Sequence, residues 1–292
     1  MQSLLIPSTK PALWPGNISE TRFAASIKRD SPAGCTVALL GLPDDTGVKL
    51  NHGRSGARGG PTAFRSALAR YGTALPGLPR VFDAGDVKPG RTLGETHRRV
   101  TAATSALLEL GLFPLGIGGG HDLTFPFVRA VVLKFPQLAG LYFDAHLDVR
   151  ETTGSGMPFR KLVEECGVTA LHLHGFRPLV NSPGHFAWFK AHGGRIYPDG
   201  AKIALPKAKH FFVSFDLDVL DAACAPGVSA LNPSGWTVSQ AEAWVRACGA
   251  DQRVHCFDLM ELNPRFDPDG RTARIAAHLF LTFLHGYAQR KP

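Results

Sequence analysis

Short runs of apolar, β-branched and aromatic residues recur along the chain, each followed by turn-forming residues: Cys35 to Leu42, Arg80 to Ala84, Phe113 to Ile117, Leu138 to Phe143, Thr169 to Leu173, Arg195 to Tyr197, Phe211 to Phe215 and Val254 to Leu259. This pattern predicts eight β-strands. Between them, apolar positions repeat at helical spacing over Pro61 to Tyr71, Thr92 to Leu110, Leu123 to Lys134, Met157 to Cys166 and Val238 to Cys248, and Arg271 to His285 reads as a closing outer helix. Pro61 stands where a first helical residue tolerates proline, and Ser239-Gln240-Ala241-Glu242 reads as a capping box. Strands alternating with helices predict a parallel sheet. Residues 1–34 are expected to be irregular, with at most one short helix near Ser19 to Lys28. Neither a Ser/Gly linker nor an internal repeat divides the sequence, so the expectation is a single α/β domain over residues 1–292. It would have three layers, α-β-α, around an eight-stranded parallel sheet, with a closed (β/α)₈ barrel as the rival.

Composition agrees with a packed globule: 44% of residues are hydrophobic and 19% charged, which excludes a disordered or fibrous chain. The 32 glycines and 22 prolines imply many tight loops. A net charge of +8 would suit nucleic acid, an anionic surface or an anionic substrate. The basic residues, however, stand in ones and twos, as in Lys28-Arg29 and His97-Arg98-Arg99, so no nucleic-acid partner is expected. Cys35, Cys166, Cys224, Cys248 and Cys256 form no CxxC pair and read as reduced, mostly buried thiols. The opening Met1-Gln2-Ser3-Leu4-Leu5-Ile6-Pro7 lacks a basic and then apolar leader pattern, and no apolar run approaches the about 18 residues of a membrane span. A soluble cytoplasmic protein without a membrane partner is the expectation.

Ligands of open parallel sheets bind at the carboxyl ends of strands. Three predicted strands end in chemistry there: one runs into Gly118-Gly119-Gly120-His121-Asp122, one into Asp144-Ala145-His146-Leu147-Asp148, and one into Asp216-Leu217-Asp218. On an extended segment, residues two apart project to one face, so Asp144, His146 and Asp148 can converge, as can Asp216 and Asp218. One Asp alone would read as a solvated loop end or part of a satisfied polar network. Four carboxylates side by side would repel one another and be costly to desolvate, and two divalent cations would balance their charge. Oxygen and imidazole donors without thiolate suit Mn²⁺, with Fe²⁺, Co²⁺ and Zn²⁺ as competitors and Ca²⁺ disfavoured. Such a pair activates water, and its natural chemistry is hydrolysis. The triple glycine lacks the lysine and spacing of a phosphate loop and reads instead as a tight bend that turns His121 towards the metals.

Together the three clusters resemble the ureohydrolase family, the binuclear manganese enzymes that include arginase, agmatinase and formimidoylglutamase. The likeness runs from about Gly41 to about Leu279. Family patterns of the type GG(D/G)H, DAHxD and SFDxDxxD correspond to Gly118 to His121, Asp144 to Asp148 and Ser214 to Asp221. The resemblance implies that Asp144 and Asp216 each touch both metals, that His121 and Asp148 complete one shell, and that His146 and Asp218 complete the other. Gly120, Arg150, Ser155-Gly156-Met157-Pro158-Phe159, Glu261-Leu262-Asn263-Pro264 and Asn51-His52-Gly53-Arg54 look like the formimidoylglutamase branch. Met157 and Asp122 depart from that branch's usual Thr and Glu. Ser155 stands where arginases and agmatinases tend to carry a proton-shuttling His.

The resemblance therefore implies hydrolysis of N-formimino-L-glutamate to L-glutamate and formamide, a step of histidine breakdown, and a homo-oligomer, trimer or hexamer. Asp148 would orient the attacking water and Glu261 would pair with the cationic amidinium. A substrate with two carboxylates calls for arginine, and Arg150, Arg160 and Arg177 follow strand ends on the expected rim, with Ser155 and Asn181 as neutral contacts. His172 and His174 read as packing residues rather than ligands. The alternatives are an agmatinase or guanidino acid hydrolase that releases urea, and a non-catalytic metal or nucleic-acid binding protein on the same fold.

Overall fold

The computed structural model of the chain describes residues 6–72, 74 and 76–290; Met1 to Leu5, read above for a leader, lie outside them. All eight apolar runs form strands: β2 (Val37–Leu42), β3 (Val81–Val87), β4 (Phe113–Gly118), β5 (Ala139–Phe143), β6 (Leu171–His174), β7 (Arg195–Tyr197), β8 (Phe211–Asp216) and β9 (Val254–Met260). These eight pair in parallel, while a two-residue strand in the segment expected to be irregular, β1 (Thr9–Lys10), pairs antiparallel with β3. The sheet order is β1-β3-β2-β4-β9-β8-β5-β6-β7, with free edges at β1 and β7. It is open, which sets the barrel aside.

Eight α-helices connect the strands among the described residues: α1 (Thr46–Leu50), α2 (Gly60–Leu68), α3 (Leu93–Glu109), α4 (Thr124–Lys134), α5 (Pro158–Cys166), α6 (Pro183–Ala191), α7 (Val238–Ala250) and α8 (Arg271–Tyr287). The three layers follow from the two-residue period of the strands. Val37 and Leu39 join one buried cluster with Phe64, Trp244 and Phe280 of α2, α7 and α8. Ala38 and Leu40 join another with Val100, Val131, Leu162 and Phe189 of α3 to α6. A buried triad pins α2 to the sheet: the Arg65 guanidinium donates to both oxygens of Asp83 at 2.9 and 2.8 Å and to Asp86 Oδ1 at 2.6 Å.

Three local expectations change. The capping box of α7 is Thr237 with Gln240, not Ser239 with Glu242, because Thr237 is the last extended residue and its hydroxyl accepts from the Gln240 amide. Helices α1 and α6 were not expected; α1 is only five residues long, and α6 buries only Phe189, leaving little periodicity to see. Of the five thiols, Cys248 and Cys256 are buried and the other three are only partly covered. No helix among the described residues is long and apolar enough to cross a membrane.

Candidate metal centre

Strands β4, β9, β8 and β5 lie side by side. Their carboxyl ends therefore bring residues 119–123, Glu261, Asp218 and residues 144–148 to one place. The pleat does not cause the convergence, because the strands end at Phe143 and Asp216. Instead, Asp144 Oδ1 accepts the amide of His146 at 2.6 Å, and Asp216 Oδ1 accepts that of Asp218 at 2.7 Å. These local turns, available to an Asp side chain, swing the following residue back beside the first. Gly119 is required by crowding rather than by a bend: a Cβ there would lie 2.2 Å from the Asp44 carbonyl oxygen and 2.4 Å from that of Leu42.

Two donor groups result. His121 Nδ1 lies 3.2 Å from Asp144 Oδ2, 2.9 Å from Asp148 Oδ2 and 3.0 Å from Asp216 Oδ2. His146 Nδ1 lies 3.2 Å from Asp144 Oδ1 and 3.1 Å from Asp218 Oδ2. Asp144 belongs to both groups, whereas Asp216 groups only with His121. His121 Nδ1, Asp144 Oδ2 and Asp218 Oδ1 are buried without a hydrogen-bond partner, and a divalent ion in each group would take up their lone pairs instead.

Electrostatics show the same need. Burial, with Asp148 and Asp218 nearby, raises the Asp144 carboxyl to about 6. Burial and Asp218 push Asp216 well above the ordinary carboxylate value. Burial opposes charge on His121, yet its contacts with Asp144, Asp148 and Asp216 outweigh burial and hold its pKa well above that of a free imidazole. Without a cation the cluster holds protons; with two, it can release them.

A cavity of about 300 Å³ opens over this cluster, lined also by Asn51, His52, Arg150, Ser155, Asn181, His185, Ser229 and Glu261. Among the described residues, three of the five non-glycine residues with positive φ, His52, Asp148 and Glu261, are in its lining, and such backbone strain persists where the surroundings enforce it. Glu261 is buried, with Oε1 accepting the His121 amide at 2.7 Å and Oε2 accepting the Ser229 hydroxyl. Burial raises its carboxyl to about 8.

The arginase family's sequence pattern matches residues 35–286. The chain belongs to the arginase family. Within the arginase family, the formimidoylglutamase of Aromatoleum aromaticum is 36% identical over 89% of this chain and 85% of its own length. The crystal structure of Trypanosoma cruzi formiminoglutamase with Mn²⁺ superposes with a TM-score of 0.87 at 30% identity, covering 94% of this chain and all of that one. The Bacillus subtilis formimidoylglutamase gives 0.86 at 25% identity, covering 95% and 96%.

The three arginines expected near substrate separate. Arg150 lines the cavity, and its guanidinium has no hydrogen bond or ion pair among the described residues. Arg160 and Arg177 are outside the lining. Arg160 donates to Glu164 at 2.8 Å and lies over the Trp188 ring. Arg177 donates to Asp199 at 2.8 Å and to the Ser234 carbonyl at 2.6 Å. Asn181 is in the lining, but its amide is spent on Leu147, Ala145 and Arg177 backbone groups, holding the turn that presents His146. Sequence reasoning missed His185 and Ser229: His185 arrives on the unexpected α6, and no motif surrounds Ser229. His172 and His174 stay outside both donor groups, His172 bonded to the Tyr197 hydroxyl at 2.9 Å.

Proposed function

We propose that the chain cleaves the C–N bond joining a formimino carbon to the nitrogen of glutamate. Water adds its oxygen to that carbon, the nitrogen of glutamate leaves with a proton, and formamide departs. The observation that carries this reading is the free guanidinium of Arg150 in the same cavity as His146, Asp148, Asp216 and Asp218, because a dicarboxylate beside these carboxylates and Glu261 needs a cation to receive it. The names of the relatives at 36% and 30% identity support it.

His121, Asp144, Asp148 and Asp216 would hold one divalent ion, and Asp144, His146 and Asp218 a second. When bound, the ions supply polarisation of water for attack on a weak electrophile. Everything else falls to side chains. Asp148 lines the cavity, accepts a hydrogen bond from the attacking water, takes that proton as the oxygen bonds to carbon, and passes it to the departing nitrogen. Glu261, ionised on meeting the cationic amidinium, would keep one lone pair on each oxygen beyond those used by His121 and Ser229 and offer these to the amidinium N–H groups. Arg150 takes a carboxylate, with Ser155 as a neutral contact.

Mn²⁺ is the ion this reading favours, since the donors are oxygen and imidazole and the Trypanosoma cruzi relative was crystallised with it. Five free cysteines agree with a reducing cytoplasm. The trimer or hexamer implied by the resemblance is part of the same reading, and light scattering of the purified chain checks it. The deciding assay supplies the protein with Mn²⁺ and offers formimino-glutamate, agmatine, arginine and guanidinobutyrate. Formamide from the first is expected. Urea from any of the others at a higher kcat/KM would replace this reading by a guanidino hydrolase.

A further inference from the structure

Ser214 of β8 and Asp258 of β9 stand opposite one another in the sheet register, both fully buried, and neither lines the cavity. Ser214 Oγ donates to Asp258 Oδ1 at 2.6 Å, and Thr124 Oγ1 donates to Asp258 Oδ2 at 3.0 Å. A hydroxyl has one hydrogen. Once Ser214 has given it to Asp258, and with the Thr124 hydroxyl 3.3 Å away spending its own hydrogen on Asp258, only oxygen lone pairs remain for the third neighbour, His121 Nε2, at 3.0 Å. The hydrogen of that contact must therefore come from the imidazole, which donates through Nε2–H.

A neutral imidazole carries a single N–H, so fixing it on Nε2 leaves a bare lone pair on Nδ1. Stripped of the proton that the cation-free cluster holds there, Nδ1 turns this lone pair to three carboxylate oxygens at 2.9 to 3.2 Å. Such an arrangement is repulsive by itself and attractive around a cation. His146 has no comparable support: among the described residues, no protein group bonds its Nε2, and its side chain is partly exposed.

We infer that Asp258 is a positioning residue which, through Ser214, fixes His121 in the tautomer that offers Nδ1 to a metal ion, and that it serves only one of the two ions. The inference rests on reading the cluster as a metal centre. Its physical content is a proton count: the carboxylate of Asp258 accepts, Ser214 passes the polarity on, and His121 is left with the ligand nitrogen free. Groups that orient a ligating histidine in this way are typically worth roughly 10- to 100-fold in metal affinity.

The test uses the full chain, stripped of metal and dialysed against graded, buffered free Mn²⁺, with ions per chain measured by plasma mass spectrometry. The wild type is expected to take up two. Ser214→Ala and Asp258→Asn should each keep one ion at wild-type affinity and bind the other roughly 10- to 100-fold more weakly. Thr124→Val removes one of the two donors to Asp258 while keeping the shape, and should weaken the same single ion by less. It decides the matter if circular dichroism shows the other two unfolded. Wild-type affinity at both sites in the folded variants overturns the inference, as does an equal weakening of both ions, which would mean general loosening. A wild type that takes up no ion instead sinks the metal reading itself.

Discussion

Asp144 and Asp216 make the same turn at the ends of the neighbouring strands β5 and β8, each Oδ1 accepting the amide two residues on. The turn aims both Oδ2 atoms at His121 Nδ1, at 3.2 and 3.0 Å. Only Asp144 also reaches His146, through Oδ1 at 3.2 Å. Asp144→Asn should therefore cost both ions, while Asp218→Asn should cost mainly the one near His146. Elemental analysis after dialysis reads this directly. Two ions retained in Asp144→Asn would mean that the carboxylate is not shared.

Arg150 is the arginine to substitute. Losing a bidentate charged contact costs about 1.5–3 kcal/mol, or roughly a 10- to 100-fold rise in KM for a carboxylate substrate. Arg150→Lys keeps the charge but not the fork, and should fall between wild type and Arg150→Ala. Metal content should not change, and Arg160→Ala and Arg177→Ala should leave KM near wild type. A KM indifferent to Arg150 points to a substrate without that carboxylate.

The strands and the six metal-binding candidates could be read from sequence because an apolar run that ends in Asp or His carries both signals in the same few residues. How those residues meet could not: it depends on the turns at Asp144 and Asp216 and on a positive φ at Asp148. Arg160 could have been discounted in advance, since Glu164 lies one helical turn further on. Arg177 could not, because Asp199 stands 22 residues away and only the fold brings it near. The same holds for Ser214 and Asp258, whose 44-residue separation vanishes across two adjacent strands.

The Arg65 triad is a stability element remote from the cavity. Asp83 also accepts from the indole of Trp14 at 2.7 Å, but Asp86 meets Arg65 at 2.6 Å in a site where both are buried. Removing the cation strands two buried carboxylates, which costs about 3–5 kcal/mol. Arg65→Met should lower the urea midpoint by that amount of free energy. A change below about 1 kcal/mol would show the triad to be no better than a surface pair.

The last prediction concerns acid. Burial, then the charge of Arg195, lowers the His172 pKa to about 4, and burial, then His172, does the same for His174. Both stay neutral in the fold, whereas in the unfolded chain they take protons near pH 6.5. Between about pH 6.5 and 4 the unfolded state therefore binds more protons, so the stability is complete above 6.5 and is lost as pH falls through that window. His174 lies stacked on Tyr197 at 4.5 Å and against Trp244 at 4.2 Å, and neither of its ring nitrogens has a hydrogen-bond partner. His174→Phe keeps the stacking, removes two unsatisfied buried atoms and cannot take a proton. It should unfold in urea at a midpoint equal to or above wild type at pH 7. Between pH 6.5 and 4 its midpoint should fall less steeply, measured with both proteins in the same chelator so that metal loss affects them alike. Superimposable pH profiles would show that His174 is already solvated in the fold and takes its proton there.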